Sequence, residues 1–310
     1  MSKCNKELGD YIDFFGSSHG CDMVFYAYKG TAGAYNEMVQ SDKYYLCREE
    51  IENIKQGKAV LENFLYEVSN IIEIGPGSEY TLLHKTIPIL SASENLTKYI
   101  GFDYSESYLE ETLSFLKANS KGIGISGIVG DLLHDKINIK DKVSGQNCVI
   151  FLGSTIGNFT KNDMRLAIDK ISDICGNGDK LIITFDINQD EKTLLSAYNN
   201  KLMERWMQGI LKYFIQYDPS IQGKLEQFKL KADWDGSKAQ MFFEVQEDLS
   251  VSIPEYGAVE LKKGRQLRGV TAHKFTVDSI AQLLGVGGFQ ISDILTISGR
   301  MATVLAIKNT

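Results

Sequence analysis

No two cysteines stand close enough in this chain to form a C-x-x-C pair, and that removes the usual sequence sign of a zinc site. The five present (Cys4, Cys21, Cys47, Cys148 and Cys175) are scattered and odd in number, so no disulfide framework is indicated and the compartment is expected to be reducing. The four histidines (His19, His84, His134 and His273) lack metal-ligand spacing, and no metal is expected. No apolar run approaches the roughly 18 residues of a membrane span, and the N-terminus lacks the apolar stretch of a signal peptide. Absent too is any long block of basic residues. With 33 Lys and Arg against 40 Asp and Glu, a net charge of −7 argues against a nucleic-acid surface. No repeat, low-complexity segment, or serine or cysteine nucleophile motif stands out. These absences leave a cytoplasmic protein with a small-molecule partner, of a length, 310 residues, that suits one sizeable domain and an accessory one.

What is present centres on Asn70-Ile71-Ile72-Glu73-Ile74-Gly75-Pro76-Gly77-Ser78, an apolar run that ends on glycines before a helical pattern. A buried parallel strand has this form, and glycines at its carboxyl end let the backbone turn sharply and approach a ligand that a Cβ would block. A helix is expected over Glu79–Leu90, and an amphipathic one over Cys47–Val68. Further strands are expected at Tyr99–Asp103, Ile123–Val129, Cys148–Leu152 and Leu181–Phe185, each ending in a polar or glycine-containing tip. Ser107-Tyr108-Leu109-Glu110 has the form of a capping box, and Thr160, Asp163 and Thr276 are candidate helix caps. Phe289–Ile297 and Met301–Ile307 read as a terminal hairpin that puts an antiparallel strand on the sheet edge.

The pattern predicts an α/β fold, a doubly wound sheet with a C-terminal antiparallel hairpin, plus an α+β substrate-binding domain where the alternation fails. Residues 47–190 and 276–310 form the expected core, and 1–46 with an inserted 191–275 the substrate domain. That second region joins an aromatic-rich N-terminus, read as a packed lid, to a helical stretch (Leu194–Ile215) and strand-like Gln240–Ser252 and Ala258–Leu261. Dinucleotide enzymes want a third glycine where this chain has Tyr80. Glu73, Asp103 at the second tip, Gly130-Asp131 at the third and the terminal hairpin fit instead a class I methyltransferase using S-adenosylmethionine. Asp103 is placed to accept hydrogen bonds from a ribose.

The segment Phe151-Leu152-Gly153-Ser154-Thr155-Ile156-Gly157-Asn158-Phe159, with Asp103-Tyr104-Ser105-Glu106 before it and Ala197-Tyr198-Asn199 after it, resembles the histidine Nα-methyltransferase family of ergothioneine biosynthesis. The likeness extends to Lys43-Tyr44-Tyr45-Leu46 and Lys274-Phe275-Thr276 and is poorest between about 200 and 235. It implies that Asn158, Tyr44 and Tyr198 hold the α-amine and carboxylate of an amino acid, and that Gly75, Gly77, Asp103, Asp131, Leu132 and Gly153 contact the cofactor. Histidine-specific members carry Glu and Ser two apart before K-Y-T. Here Val270 and Ala272 stand in those places, so the side-chain pocket, with Tyr45 and His273, is expected to accept something other than histidine. The lysine that members carry shortly after the glycines is also replaced around Tyr80. The expected activity is N-methylation of an amino acid or a derivative. Two other readings stay open, methylation of another small amine or hydroxyl compound and a non-catalytic cofactor-binding partner. Arg48-Glu49-Glu50 reads as a solvated helix face, and the oligomeric state is left open.

Overall fold

A computed structural model of the chain describes residues 3–17, 23–30, 32–137, 139, 143–254 and 257–309; His19 and Cys21 lie outside the described residues. The chain divides into two compact units. The larger comprises Leu46–Asn188 and Lys274–Thr310, the smaller Met1–Tyr45 and Gln189–His273. In chain order the larger unit supplies β1 (Val68–Ile74), β2 (Lys98–Asp103), β3 (Gly124–Val129), β4 (Gln146–Phe151) and β5 (Lys180–Asp186). The smaller follows with β6 (Phe228–Trp234), β7 (Lys238–Val245), β8 (Leu249–Ile253), β9 (Gly257–Leu261) and β10 (Gln266–His273). The larger resumes with β11 (Phe289–Leu295) and β12 (Met301–Lys308).

The seven strands of the larger unit run in the order β11-β12-β5-β4-β1-β2-β3. Strands β1 to β5 are parallel, and β12 is antiparallel to both β5 and β11. Alternate residues face opposite layers. Ile72, Ile100, Val149 and Ile183 pack with helix Lys161–Ile174 and with Ile280 and Leu284, whereas Ile71, Tyr99, Cys148 and Ile182 pack with Leu61, Leu65 and Leu116. The hairpin differs from expectation in one respect. Its antiparallel strand β12 is inside the sheet and β11 is the edge. Residues Met301–Ala306 are buried on both faces, which only an interior strand satisfies, whereas Gln290, Asp293 and their neighbours make β11 half-exposed.

Helix boundaries also shift. The segment Glu79–Ser91 is helical but widens into a π turn at Leu82–Thr86. Pro88 has no N–H for the carbonyl of His84 and its ring crowds that turn, which the wider spacing relieves. The expected helix over 47–68 is two, Tyr45–Gln56 and Lys58–Leu65, broken at Gly57, where a Cβ would sit 2.4 Å from Leu295 Cδ1 and 2.8 Å from the Asn53 carbonyl. Helix Glu106–Asn119 is capped by Ser105, not Ser107. Thr160 and Thr276 do cap theirs, the latter in a capping box with Ser279.

In the smaller unit β10, β7 and β6 form an antiparallel sheet and β8 and β9 a separate ribbon. The strand-like 240–252 therefore splits between two sheets, and β6 lies in a region where no strand was expected. The helical stretch breaks at Asn199-Asn200 into Glu191–Tyr198 and Lys201–Phe214, with the Asn200 side chain accepting from the Leu202 and Met203 amides. The N-terminal aromatics pack as expected, and they do so within the smaller unit. Tyr11, Phe14 and Phe15 are fully buried and meet Phe214 edge-on or tilted at ring separations of 5.2 to 6.2 Å, forming this unit's own core.

Candidate active site

The order of the parallel strands reverses between β1 and β4, and chains leaving those two strands diverge there to open a crevice at their carboxyl ends. On that edge the larger unit gathers Gly75 and Gly77 after β1, Asp103 closing β2, Asp131 and Leu132 after β3, and Gly153 and Asn158 after β4. Gly75 has φ +65°, its N–H donates to the Phe102 carbonyl at 2.8 Å, and a Cβ on it would project into open space. Gly77 leaves no room. A Cβ there would lie 1.9 Å from Thr81 Oγ1, so only glycine lets the following helix start this close. This cradle and the carboxylate at the β2 tip fit a nucleoside carrying a small charged tail.

Three acids are held in different ways. Glu73 is buried, and its oxygens accept from Thr86 Oγ1 at 2.9 Å and Tyr99 Oη at 2.7 Å, so it anchors the glycine turn from beneath. Burial pushes its carboxyl up to about 7 against the lowering effect of those hydroxyls and Lys85. Burial likewise raises Asp103 to about 6, while the Ser105 amide, 2.8 Å away, and the Tyr104 amide pull it back. Asp131 accepts from the amides of Leu133 and His134 and lies 3.0 Å from His134 Nδ1, which ties it to its own turn.

The loop after β4 is built from two consecutive left-handed residues, Gly153 at φ +78° and Ser154 at +54°. Among the described residues Ser154 is the only non-glycine with positive φ, a conformation that persists only when its surroundings hold it. They do so here. Gly153 N–H donates to Glu50 Oε1 at 2.7 Å, Ser154 N–H to Thr184 Oγ1 at 3.0 Å, and Ser154 Oγ accepts from the Asp186 amide at 2.9 Å. The 3-10 turn Thr155–Asn158 follows and carries Asn158, half-buried, at its end. Behind it Lys274 forms a buried ion pair with Asp186 at 2.7 Å; burial lowers the lysine's pKa and Asp186 partly restores it.

The carboxylates at 49 and 50 are not solvated. Glu49 is 6% and Glu50 1% exposed. Glu49 pairs with Arg300 and Ser298, and Asn53 one turn on bonds the Met301 carbonyl and the Ile297 amide, so this helix face clasps the β11–β12 turn. A helix charged on one side can bury that side when distant partners meet it, and those partners lie far along the chain.

Tyr44, Tyr45, Tyr198, Val270, Ala272 and His273 belong to the smaller unit. Tyr44 is half-buried just before helix Tyr45–Gln56, Tyr45 is buried at its start, and Tyr198 is buried at the end of Glu191–Tyr198. Val270 and Ala272 pair across to Met241 and Ala239, on the sheet face that also carries Leu267 and Phe243. Thr271 and His273 point to the opposite face. Gly269 forms a bulge where a Cβ would sit 2.5 Å from Met207 Cε. Neither Val270 nor Ala272 offers a hydrogen-bonding group.

A parallel sheet that reverses order at the glycine-bearing strand, with one antiparallel strand inserted before the last, is the class I methyltransferase fold. The chain belongs to the family described as histidine-specific, SAM-dependent methyltransferases, whose profile matches residues 21–309. It is 29% identical over 173 residues, 54% of this chain and 19% of the relative, to ergothioneine biosynthesis protein 1 of Neurospora crassa. A histidine N-alpha-methyltransferase of Mycobacterium tuberculosis is 25% identical over 169 residues, 54% of this chain and 50% of its own. A 4-dimethylallyltryptophan N-methyltransferase of Claviceps purpurea is 25% identical over 157 residues, covering 48% and 44%. The chain thus spans half or less of each of these relatives. Among the described residues no helix is long and apolar enough to cross a membrane.

Proposed function

We propose that this chain transfers a methyl group from S-adenosylmethionine to the α-amine of an amino acid, or of a metabolite made from one, whose side chain is not that of histidine. The observation that carries the specificity is the apolar strand face at Val270 and Ala272, with Met241 and Ala239 opposite them. A histidine imidazole set against that face would have a ring N–H buried without an acceptor, at a cost of about 1–3 kcal/mol. That one relative of this chain is named for a tryptophan derivative is consistent with an amino-acid scaffold bearing different side chains.

S-adenosylmethionine, when bound, supplies a methyl on a sulfonium that departs by in-line displacement. The chain's work is positioning. Gly75, Gly77, Asp103, Asp131, Leu132 and Gly153 are assigned to the cofactor. Asn158, Tyr44 and Tyr198 are assigned to the amine and carboxylate, with the amine held deprotonated because an ammonium has no lone pair; water or a nearby carboxylate takes its proton. The faces of Tyr44, Tyr45 and Tyr198 suit a nitrogen becoming quaternary, since cation–π attraction survives the loss of every N–H. His273, on the other face of β10, is not assigned to the side-chain pocket.

Replacing Val270→Glu and Ala272→Ser together tests the assignment. Histidine turnover is expected to rise about tenfold or more over the parent chain, measured as release of S-adenosylhomocysteine. No change in a folded double variant would remove these two positions from the pocket.

A further inference from the structure

The carboxylate of Glu50 joins three stretches of the larger unit. It stands on helix Tyr45–Gln56, its Oε2 is 2.7 Å from Lys85 Nζ in the π turn that follows the glycine loop, and its Oε1 takes the Gly153 amide at 2.7 Å. Both charged groups are nearly solvent-free, with side chains 1% and 6% exposed. Burial alone would lower the lysine's pKa, but the charge and hydrogen bond of Glu50, with Cys47 and Glu73 nearby, together outweigh it, so the ammonium is retained. Lys85 also lies close enough to Glu73, the anchor under the glycine turn, to favour its charged form.

We propose that Glu50 is a positioning residue for the methyl-transfer site: by accepting the Gly153 amide it fixes the left-handed Gly153-Ser154 turn, while Lys85 balances the charge that its burial would otherwise leave unpaired. The argument rests on the assignment of Gly153 to the cofactor and of Asn158 to the amine. Ser154 is independently pinned at its amide by Thr184 and at its hydroxyl by the Asp186 amide, and Glu50 supplies the restraint on the Gly153 amide beside it. Neither an acid that only balanced Lys85 nor one that only filled space would need to face the Gly153 amide with its second oxygen.

Removing Glu50 alone would strand a buried lysine and unfold the site for an unrelated reason. The test therefore compares two charge-balanced doubles, Glu50→Gln with Lys85→Met and Glu50→Leu with Lys85→Met. Both lose the ion pair, and only the first keeps an acceptor for the Gly153 N–H. The readouts are Tm, S-adenosylhomocysteine affinity by calorimetry, and kcat and KM on the best substrate. The glutamine double is expected to stay within about threefold of the parent in affinity and kcat. The leucine double, at a similar Tm, is expected to lose about tenfold to a hundredfold in both. Equal affinities and rates in the two doubles would overturn the proposal. A parent chain that binds S-adenosylhomocysteine but methylates no amino acid would defeat the proposed function instead, and the affinity comparison would still decide the role of Glu50.

Discussion

The two units reach their cores by different means. In the larger, the inner strands β1, β2, β4, β5 and β12 are short runs buried on both faces between helical layers, and only the edges β3 and β11 are exposed. In the smaller, helices from both ends of its sequence bring Tyr11, Phe14, Phe15, Tyr26 and Phe214 together beside two small antiparallel sheets. A repeated strand–helix unit fixes where a ligand can go, because every strand ends on the same edge. An aromatic core imposes no such edge. The cofactor assignments accordingly fall in the larger unit, and the specificity assignments in the smaller.

Three experiments sharpen or break that division. The largest effect is expected from Phe214→Ala, which opens a cavity among fully buried rings and should cost the smaller unit about 3–5 kcal/mol. If the division is right, amino-acid turnover falls while calorimetric affinity for S-adenosylhomocysteine is kept; loss of both in parallel would contradict it. Next, Gly77→Ala drives a Cβ against Thr81 Oγ1 and should weaken cofactor affinity at least tenfold with about 1–3 kcal/mol of stability lost from the larger unit. The smallest effect is pH dependence at Asp103. If Asp103 holds the ribose as proposed, its carboxyl accepts both hydroxyls best when ionised, so cofactor affinity is expected to fall as pH drops through about 6. Asp103→Asn should bind about tenfold more weakly and flatten that profile between pH 5 and 8. The effect on folding has the opposite sign. A carboxyl raised from 3.8 to about 6 favours the folded state fully below 3.8, and that contribution disappears as pH rises through about 6.

Much of the larger unit was legible because its signals are local. The run Ile71–Ile74 with its glycines, Asp103 at a strand end, and the Thr276 cap each sit within a few residues of what they organise. The place of β12 inside the sheet was legible in principle, since Met301–Ala306 has no polar face to expose. Glu50 was not. Its partners are 35 and 103 residues away, and a carboxylate beside Arg48 and Glu49 on a helix has the same local appearance whether it is solvated or buried. In the smaller unit, Phe228-Lys229-Leu230-Lys231 carries the period-two alternation of β6, a short signal directly after a long helical stretch. The break at Asn199-Asn200 is of the same kind, because asparagine favours caps over helix interiors. Where β10 would pair had no local signal; its neighbour β7 is separated from it by the whole β8–β9 ribbon.

The central claim is that this fold methylates an amino acid other than histidine. The measurement that tests it most directly is S-adenosylhomocysteine release from S-adenosylmethionine by the purified chain, by mass spectrometry, with pools of amino acids and histidine kept apart. Release in a pool without histidine, and little or none with histidine alone, is the predicted result. Efficient release with histidine alone would contradict the pocket assigned to Val270 and Ala272, and silence in every pool from a chain that binds the cofactor would contradict the amino-acid substrate itself.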